Sequence, residues 1–122
     1  MNFGIYLREK RTERNLKAKI AAKQWNISPG YLSSVENGKR SAPSSELLAE
    51  IADSLDLTRE ERYRLYDLAA ESKSPPELAR DITEYTYRTP IIRELLRYSM
   101  ACNLSEKEWN VIFNFVKNNY IY

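Results

Sequence analysis

Asn26-Ile27-Ser28-Pro29 puts a helix stop and a helix start within four residues of each other. Asn accepts the left-handed conformation that ends a helix better than most residues with a side chain. Ser at an N-cap accepts from the free amides of the first turn, and Pro at the first helical position loses no intrahelical hydrogen bond. A helix ending near Trp25 must therefore meet a helix starting at Pro29 across a turn of about three residues. So close a crossing demands small side chains, and Ala18, Ala21 and Ala22 stand on the upstream helix. Gly38 stops the downstream one. The spacing thus predicts a short helix from Pro29 to about Asn37, with Leu32 and Val35 inward.

The flanking sequence continues in helical periodicity. Phe3 to Arg14 reads as a helix with Phe3 and Leu7 on one face, and Leu16 to Trp25 as the second. Glu46 to Leu55 carries Leu47, Leu48, Ile51, Ala52 and Leu55 on an apolar face. Thr58-Arg-Glu-Glu61 is a capping box that opens a fifth helix through about Glu71, striped by Leu65, Leu68 and Ala69. Ser72-Lys-Ser-Pro-Pro76 is a break and marks the expected boundary between residues 1–72 and 73–122. Pro76 to Tyr87 is ambiguous. Thr89-Pro90 reads as N-cap and first position of a helix to about Cys102. Ser105-Glu-Lys-Glu108 is a second capping box, opening a helix with Trp109, Ile112, Phe113 and Val116. The expected fold is all-α. For the last stripe, burial within the subunit and a dimer seam both stay open.

Composition removes whole classes of chemistry. The chain has no His and one Cys, Cys102. His-based triads, His general bases and His-containing zinc sites are excluded, as are an internal disulfide and a multi-Cys metal site. Neither a metal nor a cofactor is expected. No clustered acid–base pair stands out, so an enzyme is not expected. No apolar run approaches the roughly 20 residues of a membrane span, and charges arrive within the first turns, unlike a signal peptide. A soluble cytoplasmic protein is the expectation. Charge is unevenly spread. Residues 1–45 hold nine Lys and Arg against Glu9, Glu13 and Glu36, whereas the remainder of the chain has an excess of acid. A basic N-terminal third points to a polyanion partner for that part alone.

Three short helices with a tight turn between the second and third form a helix-turn-helix arrangement. Residues 5–57 resemble the Xre/Cro family of helix-turn-helix DNA-binding domains. The resemblance is carried by Leu7-Arg-x-x-Arg11, Leu16, Ala22, Ile27-Ser-Pro-x-Tyr-Leu32, Val35-Glu-Asn-Gly-Lys-Arg40, Pro43 and Leu47-Leu-x-x-Ile51-Ala52. It implies a five-helix, lambda-repressor-like domain with a small helical element after it. It also implies that Arg11 pairs with Glu36 beneath the recognition helix, and that Leu16, Ala22, Leu32, Val35, Leu48 and Ile51 are core. Pro29, Gly30, Tyr31, Ser33 and Ser34 would face base edges. Asn37, Lys39 and Arg40 would hold phosphates.

Departures from the family pattern matter as much. The usual Ser or Thr followed by Gln at the start of the second helix is Lys17-Ala18 here, so Lys17 and Lys19 are the expected substitutes for the lost phosphate contact. The usual turn Gly is Asn26. The usual Leu of the second helix is Ala21, with Trp25 large enough to refill the space. Long bidentate readers are absent from the recognition helix.

The resemblance implies a transcription regulator, most simply a repressor that binds a palindromic operator in double-stranded DNA as a homodimer through 75–122. The alternative is an antitoxin or immunity-type protein whose C-terminal helices hold a partner protein, with DNA binding for autoregulation.

Overall fold

Five helices open on side-chain caps that the sequence supplies. Asn2, Ser28, Ser44, Thr58 and Ser105 each accept from a backbone amide three residues on. In the computed structural model, which describes Met1–Tyr122, the chain forms eight α-helices and no strand. They are α1 (Phe3–Glu13), α2 (Ala18–Gln24), α3 (Pro29–Glu36), α4 (Ser45–Ser54), α5 (Arg59–Glu71), α6 (Arg80–Arg88), α7 (Pro90–Cys102) and α8 (Glu106–Asn119). No helix is long and apolar enough to cross a membrane.

One stop device recurs. Asn15, Asn26, Asp56 and Asn103 all take positive φ, between 49° and 55°. The next residue in each case is apolar, and its amide donates back to a carbonyl five residues earlier. These bonds run from Leu16 to Arg11, Ile27 to Ala22, Leu57 to Ala52 and Leu104 to Ser99. Each is a Schellman closure with the hydrophobic contact that often accompanies it. Gly38, at φ 77°, does the same for α3, with Lys39 donating to Ser34. The left-handed residue, the apolar residue and the next cap thus form one compact connector, which appears as Asn26-Ile-Ser, Asp56-Leu-Thr and Asn103-Leu-Ser.

The chain divides into two compact units, Met1–Thr83 and Glu84–Tyr122. In the first, α1 packs on α3 and α5, α2 packs on α3, and α4 packs on α5. Leu7, Leu32, Ile51, Leu55, Leu65 and Leu68 lie fully inside. Ala21 and Ala22 are completely buried where α2 meets α3. Trp25 fills the space beside them and donates its indole N–H to Ser54 Oγ at 2.7 Å.

Four expectations shift. α2 begins at Ala18 rather than Leu16, because Leu16 is taken up by the Schellman turn, where it is only partly buried. Ala18 is exposed and takes no part in the close crossing. The ambiguous segment after the break becomes α6. Thr89 precedes α7, but its side chain caps nothing.

The second unit is built differently. α7 and α8 are joined by Asn103–Ser105, and α8 carries a complete capping box. No apolar side chain in it is buried; Ser99 alone is, donating to Leu95 O at 2.6 Å. Trp109 and Ile112 are half-buried, while Phe113 is 59% and Val116 50% exposed. Burial within the subunit therefore accounts for only part of the α8 stripe.

Candidate nucleic-acid interface

α3 is held from beneath by charge and by close backbone approach. Arg11 on α1 donates to both carboxylate oxygens of Glu36, at 2.8 and 2.9 Å, and a third N–H reaches Leu16 O at 2.8 Å. Arg11 and Glu36 are both buried. The bonds to Glu36 hold Arg11 charged, above its ordinary pKa, against the opposing effect of burial. Arg8, one turn earlier and half exposed, adds an N–H to Glu36 at 3.4 Å. Gly4 completes the contact. A Cβ there would sit 2.5 Å from the carbonyl oxygens of Val35 and Glu36, so only Gly lets α1 approach the end of α3 this closely.

The outer face of α3 is small and open. Pro29, Gly30 and Ser33 are exposed, and Ser34 is half-buried. A Cβ at Gly30 would touch nothing within 4 Å. Tyr31 is half-buried against the core. Its ring carries the Arg40 guanidinium, 5.8 Å from the centroid, within cation–π range. The backbone after α3 is fixed, since Lys39 N and Arg40 N both donate to Ser34 O, at 2.9 and 3.2 Å. Lys39 and Arg40 are therefore exposed cations on an ordered loop. Asn37 caps α3 and is tied by side chain to both Arg8 and Ser33. Lys17 and Lys19 are exposed at the start of α2, and no hydrogen bond or ion pair links either to α3. An exposed helix face free of long side chains, followed at once by two cations, can lie close to a groove while the cations meet its phosphate rim.

Four contributors lie outside the sequence expectations: Gly4, Arg8, Ser72 and Lys73. Gly4 read as an ordinary position in a helix. Arg8 stands in the Leu7–Arg11 pattern with no role of its own implied. Ser72 and Lys73 fell in the apparent break, yet they fasten the loop that follows α3. Ser72 Oγ accepts from Ala42 N at 3.0 Å, and Lys73 Nζ donates to Ala42 O at 2.8 Å.

An all-helical domain in which α2 and α3 are joined by the four residues 25–28, with α3 exposed along one side, is a helix-turn-helix protein. The match to known families agrees. Residues 2–65, just over half of the chain, match the family described as "Helix-turn-helix domain", and this chain belongs to that family. No curated protein and no solved structure matches the chain.

Proposed function

We propose that this chain is a DNA-binding transcription regulator of the Xre/Cro kind, laying α3 in the major groove of double-stranded DNA and acting as a repressor. The observation that carries the reading is the pairing of a small, open α3 face with Lys39 and Arg40 on a loop pinned at both ends. Such a face contributes little bidentate base readout, so phosphate contact and duplex shape supply most of the affinity. In this reading Pro29, Gly30, Tyr31, Ser33 and Ser34 face the bases. Asn37, Lys39 and Arg40 meet the phosphates beside α3, and Lys17 and Lys19 serve the phosphates near α2.

A homodimer through the C-terminal helices fits the palindromic operator such proteins read, with half-sites about 34 Å apart. Support comes from Glu84–Tyr122, which has no buried apolar side chain and exposes Leu95, Leu96, Phe113 and Val116. A unit of that size lacks the core to stand alone without association. Its charges nearly balance, so nothing opposes pairing of two identical faces.

The test combines light scattering with duplex titration across a salt series. A dimeric full-length chain with salt-sensitive duplex binding is expected. Lys39→Ala with Arg40→Ala should weaken binding on all sequences alike and reduce the salt slope by about 2. A monomer that stays monomeric at high concentration would refute the seam and favour the partner-protein reading. Unchanged binding in the double variant would refute the placement of the loop on phosphate.

A further inference from the structure

Arg8, Asn37 and Ser33 form a chain of hydrogen bonds from α1 to the exposed face of α3. Arg8 Nη2 donates to Asn37 Oδ1 at 2.6 Å, and Asn37 Nδ2 donates to Ser33 Oγ at 3.3 Å. The direction of both bonds is forced by chemistry. A guanidinium has donors only, so the Asn37 carbonyl oxygen must face Arg8 and its amino group must face Ser33. Ser33 Oγ is then an acceptor toward Asn37. Its own proton is given to no acceptor in the chain. Ser99 shows the alternative, since it spends its proton on the carbonyl four residues back. Arg8 is itself anchored, because the buried Glu36 carboxylate accepts its Nε.

We propose that Arg8, acting through Asn37, fixes the Ser33 hydroxyl as a hydrogen-bond donor into the DNA groove, making Ser33 the residue that sets base preference. The proposal rests on the DNA-binding reading above and deepens it. A serine hydroxyl free to rotate donates or accepts and so tolerates any base. A hydroxyl that already accepts one hydrogen bond has its proton turned away from that donor, so it favours edges that offer an acceptor. In the major groove these are purine N7, guanine O6 and thymine O4, whereas cytosine presents only its amino donor. Ser33 therefore disfavours cytosine at the one position it faces. Arg8 is a positioning residue here, and Ser33 makes the base contact.

The experiment selects preferred sites for the full-length chain from a randomised duplex library. It then measures, at fixed salt, the affinity ratio between the preferred duplex and the same duplex with cytosine at each position. One position is expected to reject cytosine about fivefold, the worth of one net hydrogen bond. Ser33→Ala should abolish that ratio. Arg8→Gln should abolish it too, because a glutamine amide can accept as well as donate and frees Asn37 to reverse. Arg8→Lys, again donor-only, should restore it. A purely structural role for Arg8 would change affinity on all duplexes and leave the ratio alone. Persistence of the ratio in Ser33→Ala or Arg8→Gln, or no cytosine rejection by the unmodified chain, overturns the proposal while leaving DNA binding intact. Failure of the unmodified chain to bind any duplex at low salt overturns the DNA-binding reading itself.

Discussion

Removing Arg11 tests how α3 is held. Glu36 is 5% exposed and receives two hydrogen bonds from Arg11 and one, longer, from Arg8. In Arg11→Met the side-chain volume is roughly kept, but a buried carboxylate loses its main partner. Breaking one side of a buried pair costs about 3–5 kcal/mol, chiefly from the uncompensated charge left behind. Arg8 offsets part of this, since its guanidinium already donates to Glu36 at 3.4 Å. Leu16 O also loses its Arg11 donor, but the site is near solvent, so water replaces it. The lower end of the range, about 3 kcal/mol, is the expected cost. For a unit of this size that lowers the melting temperature by roughly 12–24 °C.

Urea unfolding followed by Trp25 fluorescence, in a Trp109→Phe background, reads the first unit alone. Trp25 is buried and hydrogen-bonded to Ser54, so its emission reports that core. The decisive comparison is Arg11→Met with Glu36→Leu. If the penalty is mainly unpaired charge, the double variant is more stable than Arg11→Met alone and lies within about 1 kcal/mol of the unmodified chain. A single-variant cost under about 1 kcal/mol would refute the argument, as would a double variant as unstable as the sum of its parts.

Gly4→Ala separates propensity from packing. Helix propensity alone favours Ala by about 1 kcal/mol. The new Cβ would lie 2.5 Å from two backbone carbonyls that cannot yield without moving α3, so a net loss of about 2 kcal/mol or more is expected in the same unfolding assay. The acid limb of stability should carry the signature of Glu61, whose pKa is pushed down to about 2, first by the Thr58 amide that donates to it and then by Lys10. A depressed carboxylate stabilises above its unfolded pKa near 4.5 and loses that contribution as pH falls toward 2. Glu61→Gln should therefore remove on the order of 2 kcal/mol at pH 6 and almost nothing at pH 2, measured by urea titration at each pH.

Helix boundaries were legible where the stop and the next cap are both written in side chains. Asn26-Ile-Ser28 and Gly38 could be read directly, because left-handed residues and N-caps are local in sequence. The same connector at Asp56-Leu-Thr58 is legible only through its capping box, and at Asn15 it carries no local signal because Lys17 supplies no cap. Residues acting at a distance were not legible. Gly4 matters only because the carbonyls of Val35 and Glu36 come within 2.5 Å of its missing Cβ, a relation between α1 and α3 that no local pattern contains. Ser72 and Lys73 have the composition of a linker and the contacts of a clamp. The α8 stripe marks an amphipathic helix, but periodicity is blind to whether the facing surface belongs to the same chain.

The supports of α3 leave its outer face almost free of structural duty. Arg11 and Gly4 act on its C-terminal turn, Leu32 and Val35 fill its inner side, and Ser72 with Lys73 holds the loop that follows. None of these contacts uses the side chain of Pro29 or Ser34, and Gly30 has none. Positions 30 and 34 can therefore change what the helix touches without changing how the helix is held. Ser33 is the exception, because Asn37 and Arg8 connect it to the same buried carboxylate that Arg11 neutralises. Glu36 thus links the two tasks of α3. Its ion pair with Arg11 fixes the position of the helix, and its contact with Arg8 orients the one hydroxyl on the exposed face whose direction is set by the fold.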